Sequence, residues 1–287
     1  MTVDRCLVLA QAKGGVGKTS IATNLAGIWA TEGLRVLLCD FDPQGNAALD
    51  LGYEVDNGQA LFAALVAGNA VPVLRDVRPG LDVIPSGPQL TRFAMSLGGD
   101  VLAMAEALER VIREAGEYDV VVIDTPPGDI AAGGAAMLVG SHVLAPSAAD
   151  DASVLGTVQL AGRFRNARQA NPALKFAGVA LFGIGATSRR IEASIREQMQ
   201  ATLGESSPVF MSRIRYASAA AVYARRHGRL ATELVADAEE AHAKRFAALR
   251  SGEQAEPVPS NAAGVASDYL ALADEIASVL DLQRMVA

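Results

Sequence analysis

Eight residues, KGGVGKTS at positions 13–20, constrain this chain more than any other stretch. They stand between a nearly all-apolar run, CLVLAQA at 6–12, and a run whose apolar residues Ile21, Leu25, Ile28 and Trp29 have helical spacing. A glycine loop between a buried strand and a helix is built to meet phosphate. Gly14, Gly15 and Gly17 let backbone N–H groups converge on phosphate oxygens, where a Cβ would crowd the ligand or forbid the backbone angles required. The N-terminus of the helix then faces the same oxygens. Gly17, Lys18 and Thr19 fit the end of the phosphate-loop pattern G-x-x-x-x-G-K-[ST], although Ala12 occupies its first glycine position. Lys18 is expected to neutralise the β/γ-phosphates and Thr19 to offer its hydroxyl to Mg²⁺, with Val16 and Ser20 completing the loop. One lysine suffices for that task, so Lys13 calls for a separate explanation.

The rest of the chain alternates strands and helices. Apolar runs at 34–40, 81–87, 119–128, 141–147, 175–184 and 207–214 read as further strands. Helical patterns fall at 20–31, 59–67, 100–114, 152–169 and 189–203. Such alternation, with each strand almost wholly apolar, predicts an α/β fold: a doubly wound, mainly parallel sheet with helices on both faces. Ligands of such sheets bind at the carboxyl ends of the strands. The glycine loop, the turn holding Asp40 and Asp42, and the turn holding Asp124 all follow strands and should meet at one edge. There Asp124 would lie beside Mg²⁺, through water. A carboxylate from Asp40 or Asp42 could orient the water that attacks the γ-phosphate. Residues 228–250 read as one long helix, 251–264 as a linker, and 265–282 as a helix packing back on the body. The expected division is therefore an ATPase domain at 1–250, a linker at 251–264 and a C-terminal helix at 265–287.

Cys6 and Cys39, the only cysteines, lie inside apolar runs and form no C-x-x-C pair, which suits buried thiols in a reducing compartment. No basic segment precedes a signal-like apolar run, and no apolar stretch approaches the roughly 18 residues of a membrane span. The expectation is a cytoplasmic protein. The formal net charge of −7 conceals an uneven distribution, because residues 160–230 carry twelve Lys/Arg against three Glu. Such a segment is either an anion-binding face on an acidic body or a set of solvated helix faces, and charge alone does not choose.

KGGVGKTS, DFDPQGN at 40–46 and DTPPG at 124–128 together resemble the deviant Walker A ATPases of the ParA/MinD family, a P-loop NTPase group. The resemblance covers about residues 6–229, and the final helix is also in that style. It implies ATP and Mg²⁺ as cofactors. It implies that Lys13 reaches across a dimer interface to the partner's nucleotide, a cation supplied in trans as an arginine finger is. ATP would then hold a homodimer together and hydrolysis would dissolve it. By the same resemblance Asp42 positions the hydrolytic water, Asp40 supports the switch near Mg²⁺, and Pro126, Pro127 and Gly128 form a second switch. Lys13, Lys18 and Asp42 are thus the catalytic candidates. The chain departs from the family where many members carry an Asn near the adenine; it reads LFGIG there, with Phe182 and Gly183.

Four branches of that superfamily compete. A MinD-like positioning ATPase would bind membranes through a basic amphipathic terminal helix, but here 269–287 has Arg284 as its only cation. A nitrogenase-iron-protein relative would need cluster cysteines near the second switch. A biosynthetic ATP-dependent ligase would need no basic face. The ParA-like branch matches best. SRIRYASAAAVYARRHGR at 212–229 resembles the segment after the last strand of ParA proteins, where an arginine-bearing turn leads into a helix. Arg213 and Arg215 are expected on that turn. They are the first candidates for nonspecific duplex DNA binding, followed by Arg189 and Arg190, then Arg225 and Arg226. The resemblance also implies a ParB-like activator partner, a nucleoid-associated location and no membrane.

Overall fold

The computed structural model describes residues 3–185, 189–204, 208–241 and 258–284. Eight strands form one sheet: β1 (Cys6–Leu9), β2 (Val36–Asp40), β3 (Leu74–Arg78), β4 (Leu81–Ile84), β5 (Val120–Asp124), β6 (His142–Ser147), β7 (Lys175–Ile184) and β8 (Val209–Arg215). Their order across the sheet is β3-β4-β2-β5-β1-β6-β7-β8. All neighbours run parallel except β3 with β4. The helices are α1 (Lys18–Thr31), α2 (Ala47–Leu51), α3 (Gln59–Ala67), α4 (Thr91–Ser96), α5 (Val101–Ala115), α6 (Ile130–Val139), α7 (Asp151–Ala170), α8 (Arg189–Leu203), α9 (Ser218–His227), α10 (233–241) and α11 (Ala262–Val279).

Both faces of the sheet are covered, so the strands are apolar in both phases of their pleat. Leu7, Leu9, Val36, Leu38, Val120 and Val122 point into a core shared with α1 and α11. Cys6, Val8, Leu37, Cys39, Val121 and Ile123 point the other way, into a core with α3, α5 and α6. α1 runs buried from Ile21 to Ala30 between sheet and α11, whose Tyr269, Leu272 and Ile276 belong to the same core. Among the described residues no helix is long and apolar enough to cross a membrane.

Several sequence expectations need correction or extension. β3 was not anticipated: LRDVR is half-exposed, charged and irregular, with Asp76 at φ 49°, and it pairs only at the sheet's edge. α6, whose IAAGGAAMLV has no polar face to give it a period, was missed with α2 and α4 because all three are short or featureless. Arg213 and Arg215 lie on β8, not on a turn beyond it. Residues 228–250 are not one helix. α9 ends at Gly228, which adopts a left-handed φ of 58° and donates to Ala224 O, and α10 begins only at residue 233. Residues 242–250 and the expected linker's 251–257 lie outside the described residues, and the rest of that linker includes the first turn of α11.

β8 is an edge strand, and side chains close its open backbone. Glu275 of α11 accepts from Met211 N (2.9 Å) and Ser212 N (2.7 Å), and Asp268 accepts from Arg215 N (2.9 Å). Arg196 of α8 donates to the carbonyls of Phe210 and Met211. A sheet edge satisfied in this way offers no template for strand addition.

Two predictions test this packing. Gly228 abuts Gly52, and a Cβ at 228 would fall 2.2 Å from Gly52 Cα. Gly228→Ala combines that clash with a left-handed backbone and should cost about 2–3 kcal/mol in denaturant unfolding. Gly33→Ala, with φ 96° but open space around it, should cost about 1 kcal/mol. The second concerns His142, buried at the start of β6 with Nδ1 bonded to Ser141 Oγ at 2.9 Å. Burial and the charge of Lys175 lower its pKa to about 4. The folded state therefore holds it neutral while the unfolded chain takes up a proton below about 6.5, so its share of stability is present above that pH and is lost as pH falls towards 4. His142→Gln should flatten the stability profile between pH 6.5 and 4 by on the order of 1–2 kcal/mol after solvent screening; an unchanged slope would remove His142 from the acid response.

Candidate nucleotide-binding site

β1, β2 and β5 lie side by side, so the three loops leaving their carboxyl ends share one edge of the sheet. Leu9 and Asp40 are both register partners of Asp124. The glycine loop leaves β1 and enters α1 through Gly17, whose φ of 83° makes it a left-handed N-cap with no side-chain bond to the helix amides. No side chain fits there, because a Cβ at Gly17 would stand 2.3 Å from the Phe182 ring. The loop is fixed from behind by Gln11, which accepts from Ala12 N (2.8 Å) and donates to Pro146 O (3.2 Å) and Thr157 Oγ1 (3.1 Å). Val16 is buried, Ser20 is half-buried on α1, and Pro127 is exposed close to Gly14.

Charge is concentrated under the loop. Thr19 Oγ1 donates to Asp124 Oδ2 at 2.6 Å, while Asp124 Oδ1 is buried with no hydrogen-bond partner among the described residues. Burial raises Asp124 to about 7. Asp40, fully buried beside it, is pushed well above the usual carboxylate range by burial and then by Asp124, although it accepts from Asp42 N (3.0 Å) and Ala47 N (3.3 Å). Asp42 is nearly buried, accepts from Gln44 N (2.9 Å), and is raised by burial against the opposing charge of Lys18. Lys18 is 6% exposed, and burial lowers its pKa despite the attraction of Asp124 and Asp42. An orphaned carboxylate oxygen beside a hydroxyl, at an all-oxygen site, fits a hard divalent cation that takes its remaining ligands from phosphate and water. Thr19 and Asp124 would hold such an ion, with Asp40 behind them.

The two loop lysines are used differently. Lys18 turns back to the carbonyl of Lys13 at 3.5 Å. The Lys13 ammonium instead sits on Asp150, at 2.8 and 2.7 Å from its two oxygens, with Ser153 Oγ at 3.2 Å. Asp150 also caps α7 through Ser153 N, and its partnership with Lys13 lowers its pKa. Sequence reasoning missed Gln11, Asp150, Ser153 and Asp50. Only the order of α7's cap, Asp150 followed by Ser153, offered a local signal, and it pointed to helix capping rather than to Lys13.

Beside the loop, a cavity of about 150 Å³ opens between Phe182, Gly183, Tyr216 and the alanines of α9, with Ser20, Asn24 and Asp50 in its wall. Its walls are mostly apolar, as a base-sized ligand requires. The basic candidates do not gather into one patch of unpaired guanidiniums. Arg213 pairs with Glu192 (2.6 Å), Arg215 with Asp268 (2.6 and 2.8 Å), and Arg225 with Asp50 (2.9 Å). Arg190 and Arg226 are exposed; the Arg189 side chain lies outside the described residues.

Comparison with known proteins agrees with this geometry. Residues 4–176 match the family described as AAA domain. The chromosome-partitioning ATPase Soj of Thermus thermophilus is 34% identical over 196 residues, which is 67% of this chain and 76% of Soj. The chromosome partitioning protein ParA of Caulobacter vibrioides is 36% identical over 184 residues, 62% of this chain and 68% of ParA. Among solved structures, septum site-determining MinD of Pyrococcus horikoshii with Mg-ADP shares the fold at a TM-score of 0.70, 20% identity and 99% coverage of both chains. Cobyrinic acid a,c-diamide synthase of Mycobacterium smegmatis, with a bound ATP analogue and magnesium, shares it at 0.65, 22% identity, and 89% and 99% coverage. Its glycine loop, the strand order that brings two aspartates beneath it, and these relatives place the chain in the ParA/MinD family of P-loop partition and positioning ATPases.

Proposed function

We propose that the chain is an ATP-gated partition ATPase: it binds ATP with Mg²⁺, pairs with a second copy, and in that state binds duplex DNA without sequence preference. The observation that carries the reading is the Thr19–Asp124 contact with its orphaned Oδ1 at the open N-terminus of α1. Bound Mg²⁺ would supply charge neutralisation at the β/γ-phosphates. Lys18 balances the same phosphates, the loop amides orient them, and Asp42 holds the attacking water. Lys13 is the cation given to the partner copy's nucleotide, which requires it to leave Asp150. A DNA-bound, ParB-like activator would raise a slow intrinsic turnover, and the location would be cytoplasmic and nucleoid-associated. Residues 1–250 act as one ATPase domain, with 251–264 a connection and 265–287 a helix belonging to the same body. Arg213, Arg215, Arg189, Arg190 and Arg226 supply the DNA face, whose pairs with acids must open or be shared when phosphates arrive.

Lys18→Ala should weaken a fluorescent ATP analogue by roughly 10- to 100-fold, the range for losing one charge-assisted hydrogen bond; unchanged affinity would dissolve the assignment of the loop. The wild-type chain should bind random duplex DNA with ATP–Mg²⁺ and not with ADP, with affinity falling steeply as salt rises. Lys13→Ala should bind ATP but neither dimerise, by light scattering, nor bind DNA. Equal DNA affinity in every nucleotide state would refute the gate.

A further inference from the structure

Arg225 is a candidate DNA ligand from sequence, but the structure occupies it otherwise. Asp50 of α2 is 5% exposed. Its Oδ1 accepts from Arg225 Nε at 2.9 Å and its Oδ2 from Thr23 Oγ1 at 3.3 Å, and Ser20 lines the same cavity. One buried carboxylate thus joins three elements: α1 immediately behind the glycine loop, α2 immediately after the Asp40–Asp42 turn, and α9. Ser20, Asp50 and Arg225 all stand in the wall of the cavity beside the loop.

The connection is stiff at both ends of α2. At its start, Ala47 N donates to Asp40 Oδ2. At its end, Gly52 abuts Gly228, the C-cap of α9. Arg78 of β3 donates to Leu51 O (3.1 Å) and Gly228 O (2.8 Å), and pairs with Glu233 of α10. With backbones in contact and donors satisfied, α2 and the end of α9 have no room to move separately. A displacement of the aspartate turn, or of the first turns of α1 through Thr23, has a continuous route to α9.

We propose that Asp50 is a positioning residue of the nucleotide site: it holds α1 through Thr23, one turn behind the glycine loop, and, through Arg225, carries the state of that site to the basic helix α9. Arg225 is then the receiving end of the link and not a DNA phosphate contact. The inference rests on the nucleotide reading given above.

The test compares Asp50→Asn, Arg225→Gln, Arg225→Lys and the Asp50→Asn/Arg225→Gln double variant. Each is measured for affinity to a fluorescent ATP analogue, for the salt slope of binding to random duplex DNA, and for Tm. Asp50→Asn and Arg225→Gln should each weaken the analogue by about fivefold or more, the low end of ordinary coupling between sites. The double variant should be no weaker than the worse single one, because both break one link. Arg225→Lys should recover part of the loss, and the salt slope should not change. Analogue affinities within twofold of wild type, with only Tm lowered, would overturn the inference. So would a salt slope reduced by about one in Arg225→Gln alone, which marks a lost phosphate contact. If Asp50→Asn does not fold, the two Arg225 variants decide. A wild-type chain that binds no analogue removes the nucleotide reading itself, an outcome distinct from wild-type binding that is insensitive to Asp50.

Discussion

Burial of two carboxylates side by side, Asp40 and Asp124, is the constraint on which the rest of the site depends. They face each other across parallel strands and neither reaches water, so desolvation and mutual repulsion both oppose their charge. A fold keeps such a pair only if something at the site balances it. Lys18 supplies one charge, the Thr19 hydroxyl one hydrogen bond, and the backbone of the 42–47 turn two more. Among the described residues one oxygen of Asp124 still has no partner. Asp124 meets Thr19 in the first turn of α1, directly after the glycine loop, so a cation and a polyphosphate bound there would answer the same deficit together.

The arginines obey a different balance. Residues 160–230 look strongly basic in sequence, yet several of those cations are matched by acids remote in the chain or on another element. Asp268 of α11 takes Arg215, Asp50 of α2 takes Arg225, and Glu192 of α8 takes both Arg196 and Arg213. The pairs differ in what it costs to open them. Asp268 holds Arg215 near the surface, where such a pair is worth about 0–1 kcal/mol and a DNA phosphate would compete. Glu192 is itself buried, but it keeps Arg196 if Arg213 leaves. The Asp50 carboxylate is deeply buried, and stripping its partner would leave an uncompensated charge at about 3–5 kcal/mol. Arg225 would therefore be the poorest phosphate ligand of the paired set.

What could be read in the sequence was what depends on local pattern. The parallel α/β sheet followed from apolar runs alternating with helical periods, and the bounds of α3 and α8 match their expected spans. The three polar loops were found because each follows a strong apolar strand. β3 was hidden because an edge strand need not be apolar, and α6 because a helix buried on most sides has no amphipathic period. The start of α10 at 233 rather than 228 was illegible for another reason. A glycine at the head of an Ala-rich, charged stretch costs a helix only about 1 kcal/mol, so nothing local delays the start. Gly228 is instead held as the C-cap of α9, against Gly52, 176 positions away, and by Arg78. Likewise no spacing rule joins Lys13 to Asp150 or Asp50 to Arg225, since sheet order alone brings those residues together.

Lys13 shows how such a contact can hold a residue without trapping it. Its ammonium makes two short bonds to Asp150, but both side chains remain more than a third exposed. At that exposure the pair contributes no more than about 1 kcal/mol. The loss to Asp150 on release is also small, because it keeps the bond from Ser153 N at 2.8 Å and its place at the N-terminus of α7. A polyphosphate with a divalent cation would offer Lys13 more negative charge than one solvated carboxylate does. Asp150 thus fixes a resting position that, in the dimer proposed above, the nucleotide of a second copy would overcome, whereas Lys18 is buried among Asp42 and Asp124. The two lysines of the opening motif differ not in chemistry but in what surrounds them, and that difference suits one to hold phosphate within its own chain and the other to reach outside it.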